Sequence, residues 1–147
     1  MYNYRLRAKN LFKKYGTYDP VTIASCLRIK VFPAELPPSV NGMWKRVLRR
    51  KYIVYNINIQ EEWQIKAVVG HELGHIVLHP GYKYFCSEGR TFYASAKHEA
   101  EADEMSIALC CQCTDVDEKY IRDFLKNGWK NNGKQKNKPS SQRNGFY

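Results

Sequence analysis

Twelve consecutive residues, Val68-Val69-Gly70-His71-Glu72-Leu73-Gly74-His75-Ile76-Val77-Leu78-His79, constrain this chain more than any other stretch. They are mostly apolar, run long enough for a helix, and enclose the spacing H-E-x-x-H. At about 100° per residue, His71 and His75 stand about 40° apart on one helical face, and Glu72 stands about 100° from His71. Burying two imidazoles and a carboxylate in an apolar helix without partners costs several kcal/mol. The stretch therefore demands a compensating group from elsewhere in the fold.

A metal ion fits that demand. Two imidazoles one turn apart can ligate one ion, and a catalytic zinc takes three protein ligands and keeps one position for water. Zinc lowers the pKa of that water to about 7, and Glu72, too far round to be an easy third ligand, can take its proton. His71 and His75 are the expected ligands and Glu72 the expected general base.

Bulk properties narrow the setting. At 147 residues with 44% hydrophobic and 14% aromatic content, the chain suits one domain with a real core. No apolar run approaches the roughly 18 residues of a membrane helix, and Met1-Tyr2-Asn3-Tyr4-Arg5-Leu6-Arg7 has no apolar signal core. Five cysteines, Cys26, Cys86, Cys110, Cys111 and Cys113, form no disulfide framework, which fits a reducing, cytoplasmic compartment. Cys110 and Cys113 make a C-x-x-C without a second pair to complete a zinc site, and read as small core-facing residues.

Taken in order, residues 4–15 read as an amphipathic helix with Leu6, Leu11, Phe12 and Tyr15 inward and Gly16 as its stop. Asp19-Pro20 caps a short helix reaching about Leu27. Ile29, Val31 and Phe32 alternate as a strand ended by Pro33. Residues 40–59 read as a hairpin with Asn41-Gly42 as a turn signal near its start and a basic tip at Arg49-Arg50-Lys51. Its second strand puts Ile53, Tyr55, Ile57 and Ile59 on one face; it is either an edge that holds an extended peptide or part of the core sheet, and the sequence does not separate the two. Asn58 is the expected cap of the long helix, with Glu61 completing a capping box and Pro80-Gly81 ending it. Gly70 and Gly74 share a side with Ala67, which calls for another element packed closely there. His79 reads as a helix-terminal histidine and 82–95 as a loop bordering the cleft.

Residues 97–113 form the next expected helix. Ala102, Ser106, Leu109, Cys110 and Cys113 fall within about 80° of Glu99, so Glu99 projects from the small, apolar face. Glu101 and Glu104 fall on the solvent side. A carboxylate on a buried face needs a cation, which makes Glu99 the preferred third ligand and Glu101 its rival. Asp103, one turn from Glu99, can orient a ligating imidazole. His98 reads as a surface residue.

These motifs together carry a family resemblance. Lys51-Tyr52-Ile53-Val54-Tyr55-Asn56, His71-Glu72-Leu73-Gly74-His75 with Leu78-His79-Pro80, and Glu99-Ala100-Glu101-Ala102-Asp103 resemble the ImmA/IrrE metallopeptidases across roughly residues 15 to 113. The resemblance implies a single α+β, zincin-like domain in which a small sheet precedes two ligand-bearing helices. It implies that His71, His75 and Glu99 bind Zn2+, with Glu72 as base. It implies an intracellular protease of a phage or mobile element that cleaves a helix-turn-helix repressor. Met105-Ser106 and Leu109-Cys110-Cys111 depart from the family, which has an aromatic-Ala pair and a Leu-Leu-x-Pro there.

The expected domain covers residues 1–126, with a last helix over Glu118–Leu125 turning Tyr120, Ile121, Phe124 and Leu125 inward. Residues 127–147 read as a disordered tail. Of the net charge of +10, six cations lie after Leu125, where no acid appears. That tail suggests solubility or a weak nucleic-acid contact. The competing expectation is a metal-bound module that grips a repressor or DNA without cutting. Tyr82, Tyr84, Tyr93 and His79 are the candidate oxyanion donors.

Overall fold

The computed structural model describes residues 3–79 and 95–132. Among these it shows a mixed α and β chain of five helices and a three-stranded sheet. In order the elements are α1 (Tyr4–Tyr15), α2 (Pro20–Cys26), β1 (Lys30–Ala34), β2 (Gly42–Val47), β3 (Arg50–Asn56), α3 (Glu62–Leu78), α4 (Ala96–Cys113) and α5 (Glu118–Asn132). The Pro80-Gly81 stop, residues 82–94 of the expected loop, Cys86 and the tail beyond 132 lie outside the described residues. No described helix is long and apolar enough to cross a membrane.

Local chemistry sets the first two helices. The Asn3 side chain accepts from the Leu6 amide at 3.0 Å, and Gly16, at φ 76°, closes α1 with its N–H on the Phe12 carbonyl. Asp19 accepts from the Val21 amide at 3.1 Å, and Pro20 takes the first turn of α2. The inward stripe of α1 differs from the expected one. Tyr4, Ala8, Leu11 and Tyr15 pack on the core, while Leu6 and Phe12 are exposed. The stripe follows i, i+4, i+7 and i+11, and buried Ala8 lies at its middle. Arg7 donates to the Val77 carbonyl at 3.1 Å and so caps the far end of α3.

The sheet order is β1-β3-β2, with β1 parallel and β2 antiparallel to β3. Pro33 lies within β1 rather than ending it, which an edge strand tolerates because one side of its backbone needs no partner. Gly42 opens β2 instead of forming a turn, and the reversal falls at Leu48-Arg49, between the paired Val47 and Arg50. A Cβ at Gly42 would stand 2.5 Å from Val68 Cγ1 and 2.7 Å from the Val54 carbonyl oxygen, so glycine lets β2 pass close over α3. Strand β3 ends at Asn56, which leaves Ile57 half exposed while Ile53 and Ile59 are buried.

Asn56 is fully buried and organises the loop around it. Its Nδ2 reaches the carbonyls of Leu36, Pro37 and Val40 at 3.0–3.3 Å. Its Oδ1 accepts from the backbone and side-chain nitrogens of Asn58. Asn58 is thereby committed to a turn, and Glu61 occupies the N-cap position of α3 without a side-chain cap bond. The expected capping box does not form.

Two apolar clusters flank α3. One joins Val69, Leu73 and Ile76 to α1, α2, the sheet and α4. The other joins Trp63, Ala67 and Val68 to Ile107, Ile121 and Phe124. Helix α5 runs past the expected end at Leu125 to Asn132, with a break at Gly128, where φ is 85° and ψ 166°.

Candidate metal centre

Helix α3 is buried on nearly every side, so its polar residues must find partners inside the protein. The small face provides the approach. A Cβ at Gly70 would stand 2.9 Å from Ser106 Oγ, and one at Gly74 would stand 3.1 Å from Ala102 Cα. The Ser106 hydroxyl donates to the Ala67 carbonyl at 2.6 Å and fastens α4 to α3 there. The expected close neighbour of Gly70 and Gly74 is therefore α4, capped at its start by Ser95.

That contact carries the acids of α4 onto the imidazoles of α3. Glu99 Oε1 lies 3.0 Å from His71 Nε2, and Glu99 Oε2 lies 3.3 Å from His75 Nε2. The two Nε2 atoms are 3.2 Å apart, with the rings at 83° to each other. Asp103 Oδ1 sits 2.7 Å from His71 Nδ1. His71, His75 and Glu99 thus form a group able to hold a metal ion. Bonds of about 2.0–2.1 Å to a tetrahedral centre place ligand atoms about 3.3 Å apart, which these separations match.

The electrostatics follow from burial and pairing. Burial disfavours the His71 cation, but hydrogen bonds to Asp103 and Glu99 outweigh it and raise the ring well above its ordinary value. Burial likewise disfavours a charged Glu99, yet the bonds from His71 and His75 hold it below the usual carboxylate range. Glu72 is 8% exposed, and burial pushes its carboxyl upward against the pull of His71 and His75.

Glu72 opens onto a cleft of about 320 Å³ that His71, His75, Glu99 and Asp103 also line. The opposite wall is residues 39–44, the approach to β2 and its first half. Among the described strands, the outer one beside the cleft is therefore β2. Strand β3, for which the sequence left an edge or a core-sheet position open, is the central strand and is paired on both sides.

The two glutamates that competed as third ligand separate clearly. Glu101 turns away from His71 and places Oε1 2.8 Å from His79 Nε2. His98 is half buried rather than a surface residue, and its ring stacks on His79 with centroids 3.9 Å apart. His79 is 5% exposed, and burial lowers its pKa despite the hydrogen bond to Glu101. Its Nε2 lies 2.8 Å from Glu101 Oε1. Tyr82, Tyr84 and Tyr93 lie outside the described residues. Periodicity missed this second cluster because its partners meet across two helix ends.

Cys110 is buried and Cys113 half buried; both are free thiols, and Cys110 Sγ lies 4.0 Å from Ser106 Oγ. Among the described residues the potential metal groups contain no cysteine. Cys110 is core-facing, as expected; Glu104 pairs with Arg122 at 2.6 Å near solvent.

The sequence is 37% identical over 101 residues to the "uncharacterized immunity region protein 2" of Bacillus phage phi105. The match covers 69% of this chain, which spans 63% of the length of that relative. No protein-family model matches the sequence. No solved structure matches it either. The chain is similar to a phage immunity region protein and carries a potential His-His-Glu metal centre between two tightly packed helices.

Proposed function

We propose that this protein is a zinc-dependent peptidase of the ImmA/IrrE type that cleaves a helix-turn-helix repressor of a phage or mobile element in the cytoplasm. The observation that carries this reading is the convergence of His71 Nε2, His75 Nε2 and a Glu99 carboxylate oxygen pair within 3.0–3.3 Å. Two imidazoles and one carboxylate are the donor set of a catalytic zinc. The relative from a phage immunity region supports the repressor as the class of target.

Zinc held there supplies Lewis-acid polarisation of a peptide carbonyl and makes water more acidic. The chain does the rest. Asp103 accepts from His71 Nδ1, which orients the ring and directs its Nε2 lone pair at the common point. Glu72 takes a proton from the attacking water and returns it to the leaving amine. Burial raises its carboxyl toward the range in which both transfers are efficient. Residues 39–44 line the cleft, so an extended segment held there would run alongside the start of β2.

A second reading, a module that grips repressor or DNA without cutting, is favoured by the tip of the hairpin. Lys45, Arg46, Arg49 and Arg50 are exposed there around Leu48, which is 90% exposed at φ 60°. The two readings part in one experiment. A phage helix-turn-helix repressor is incubated with the protein, with and without chelator, and fragments are read by mass spectrometry. Cleavage that needs metal, and that Glu72→Gln reduces about 10²–10⁴-fold without loss of zinc, supports the peptidase. An uncut repressor, or full cleavage by Glu72→Gln, overturns it.

A further inference from the structure

His79, His98 and Glu101 form a second group of donors beside the first. His79 closes α3 and is 5% exposed, and the Glu101 side chain is 12% exposed. Glu101 Oε1 lies 2.8 Å from His79 Nε2, and the His98 ring stacks on that of His79 at 28°. One ligand atom from each residue lies within 4.8 Å of the other two. None of the three lines the cleft beside Glu72, and the peptidase reading uses none of them.

We propose that His79, His98 and Glu101 bind a second divalent ion of the zinc class, which staples the end of α3 to the start of α4. The donor set decides the class. Two imidazoles and a carboxylate suit zinc, nickel or copper, whereas magnesium and calcium take oxygen ligands. The surroundings favour an ion over a simple ion pair. Glu101 Oε1 faces His79 Nε2 and the His98 ring lies over that of His79, so the three donors already stand around one point. An ion gives both rings and the carboxylate a reason to be gathered at one point, and neutralises a carboxylate that is largely withdrawn from water.

Topology gives the ion its task. His79 precedes and His98 and Glu101 follow residues 80–94, so the ion clamps the ends of the connection between the two helices that carry His71, His75 and Glu99. Closing that connection removes conformations from the unfolded chain and holds the helices in register. The two groups are neighbours, with His75 and His79 ring centroids 5.6 Å apart, but share no donor. The staple therefore does not depend on the peptidase reading.

The test is titration of the metal-free full chain with zinc alone, with thermal unfolding followed in parallel. Wild type should take up about two equivalents, and His98→Ala and Glu101→Gln about one each. Glu101→Gln keeps an acceptor toward His79 while removing the charge, and His98 is only half buried, so both variants are expected to fold. Glu99→Ala should also bind about one equivalent, and that remaining ion should raise its unfolding temperature. A single wild-type equivalent that His98→Ala and Glu101→Gln leave intact overturns the staple. If Glu99→Ala leaves uptake unchanged while His98→Ala abolishes it, the staple stands and the first centre falls.

Discussion

Asp103 Oδ1 lies 2.7 Å from His71 Nδ1, and Glu99 Oε1 lies 3.0 Å from Nε2 of the same ring. One imidazole is thus held at both nitrogens by carboxylates one turn apart on α4. Their roles differ: Glu99 brings its other oxygen to His75, whereas Asp103 meets His71 on the far side of the ring. Asp103→Ala should weaken zinc binding about 10–100-fold with the fold retained. Competition against a chromophoric chelator measures this, and wild-type affinity in the variant would remove Asp103 from the centre.

The same contacts predict a pH dependence for the metal-free protein. Despite burial, the bonds to Asp103 and Glu99 raise His71 above its ordinary 6.5. A raised histidine contributes stability that is fully present below the unfolded value and is lost as pH rises through the folded value. Despite burial, the bonds from His71 and His75 lower Glu99 below its ordinary 4.5, so its contribution is present above that value and is lost as pH falls through the folded one. Chelated protein should therefore gain most from this pair between 4.5 and 6.5, and its denaturant midpoint should decline on either side. Zinc must displace the His71 proton, so binding near pH 7 should release a proton. Calorimetry in buffers of different ionisation enthalpy measures that release, and none would contradict the assignment.

Gly70→Ala sets helix propensity against packing. Alanine gains about 1 kcal/mol in a helix interior, whereas overpacking costs about 1–3 kcal/mol. The new Cβ would stand 2.9 Å from Ser106 Oγ and 3.2 Å from Ser106 Cα, and that hydroxyl is already bound to the Ala67 carbonyl. Packing should win. The variant should unfold at lower denaturant and bind zinc more weakly, because α4 is displaced from His71. A stabilised variant would show that the helices have slack.

Helix α5 offers a contrast between burial and charge. Phe124 is fully buried, edge-on to Trp63 with centroids 5.6 Å apart. Phe124→Ala should cost about 3–5 kcal/mol. Arg122 bridges Glu104 and Glu118 near solvent, and Arg122→Ala should cost less than about 1 kcal/mol. Urea unfolding of both variants ranks them, and the reverse order would mean that α5 is held by its ion pairs.

Helix α3 was legible in the chain alone. The apolar run, the H-E-x-x-H spacing and the downstream acidic helix specify which imidazoles share a face. The wheel also favours Glu99, because Ala102, Ser106 and Leu109 mark the side that α4 must bury. Asn3 and Asp19 announce helix starts because a cap is a bond between near neighbours. Asn58 misled for a related reason: it is a good cap, but the buried Asn56 captures it first.

Local periodicity and capping are written in adjacent residues, and so the sequence by itself determined α3, the paired histidines and the face from which Glu99 emerges. Strand order and the meeting of helix ends are settled by contacts between residues far apart in the chain. Only the tertiary structure set β2 beside the cleft and packed Glu101 against His79, although the wheel puts Glu101 about 200° from Glu99. A helical wheel knows the direction of a side chain around its own axis. It carries no information about which neighbour, at which height, fills the space that side chain enters.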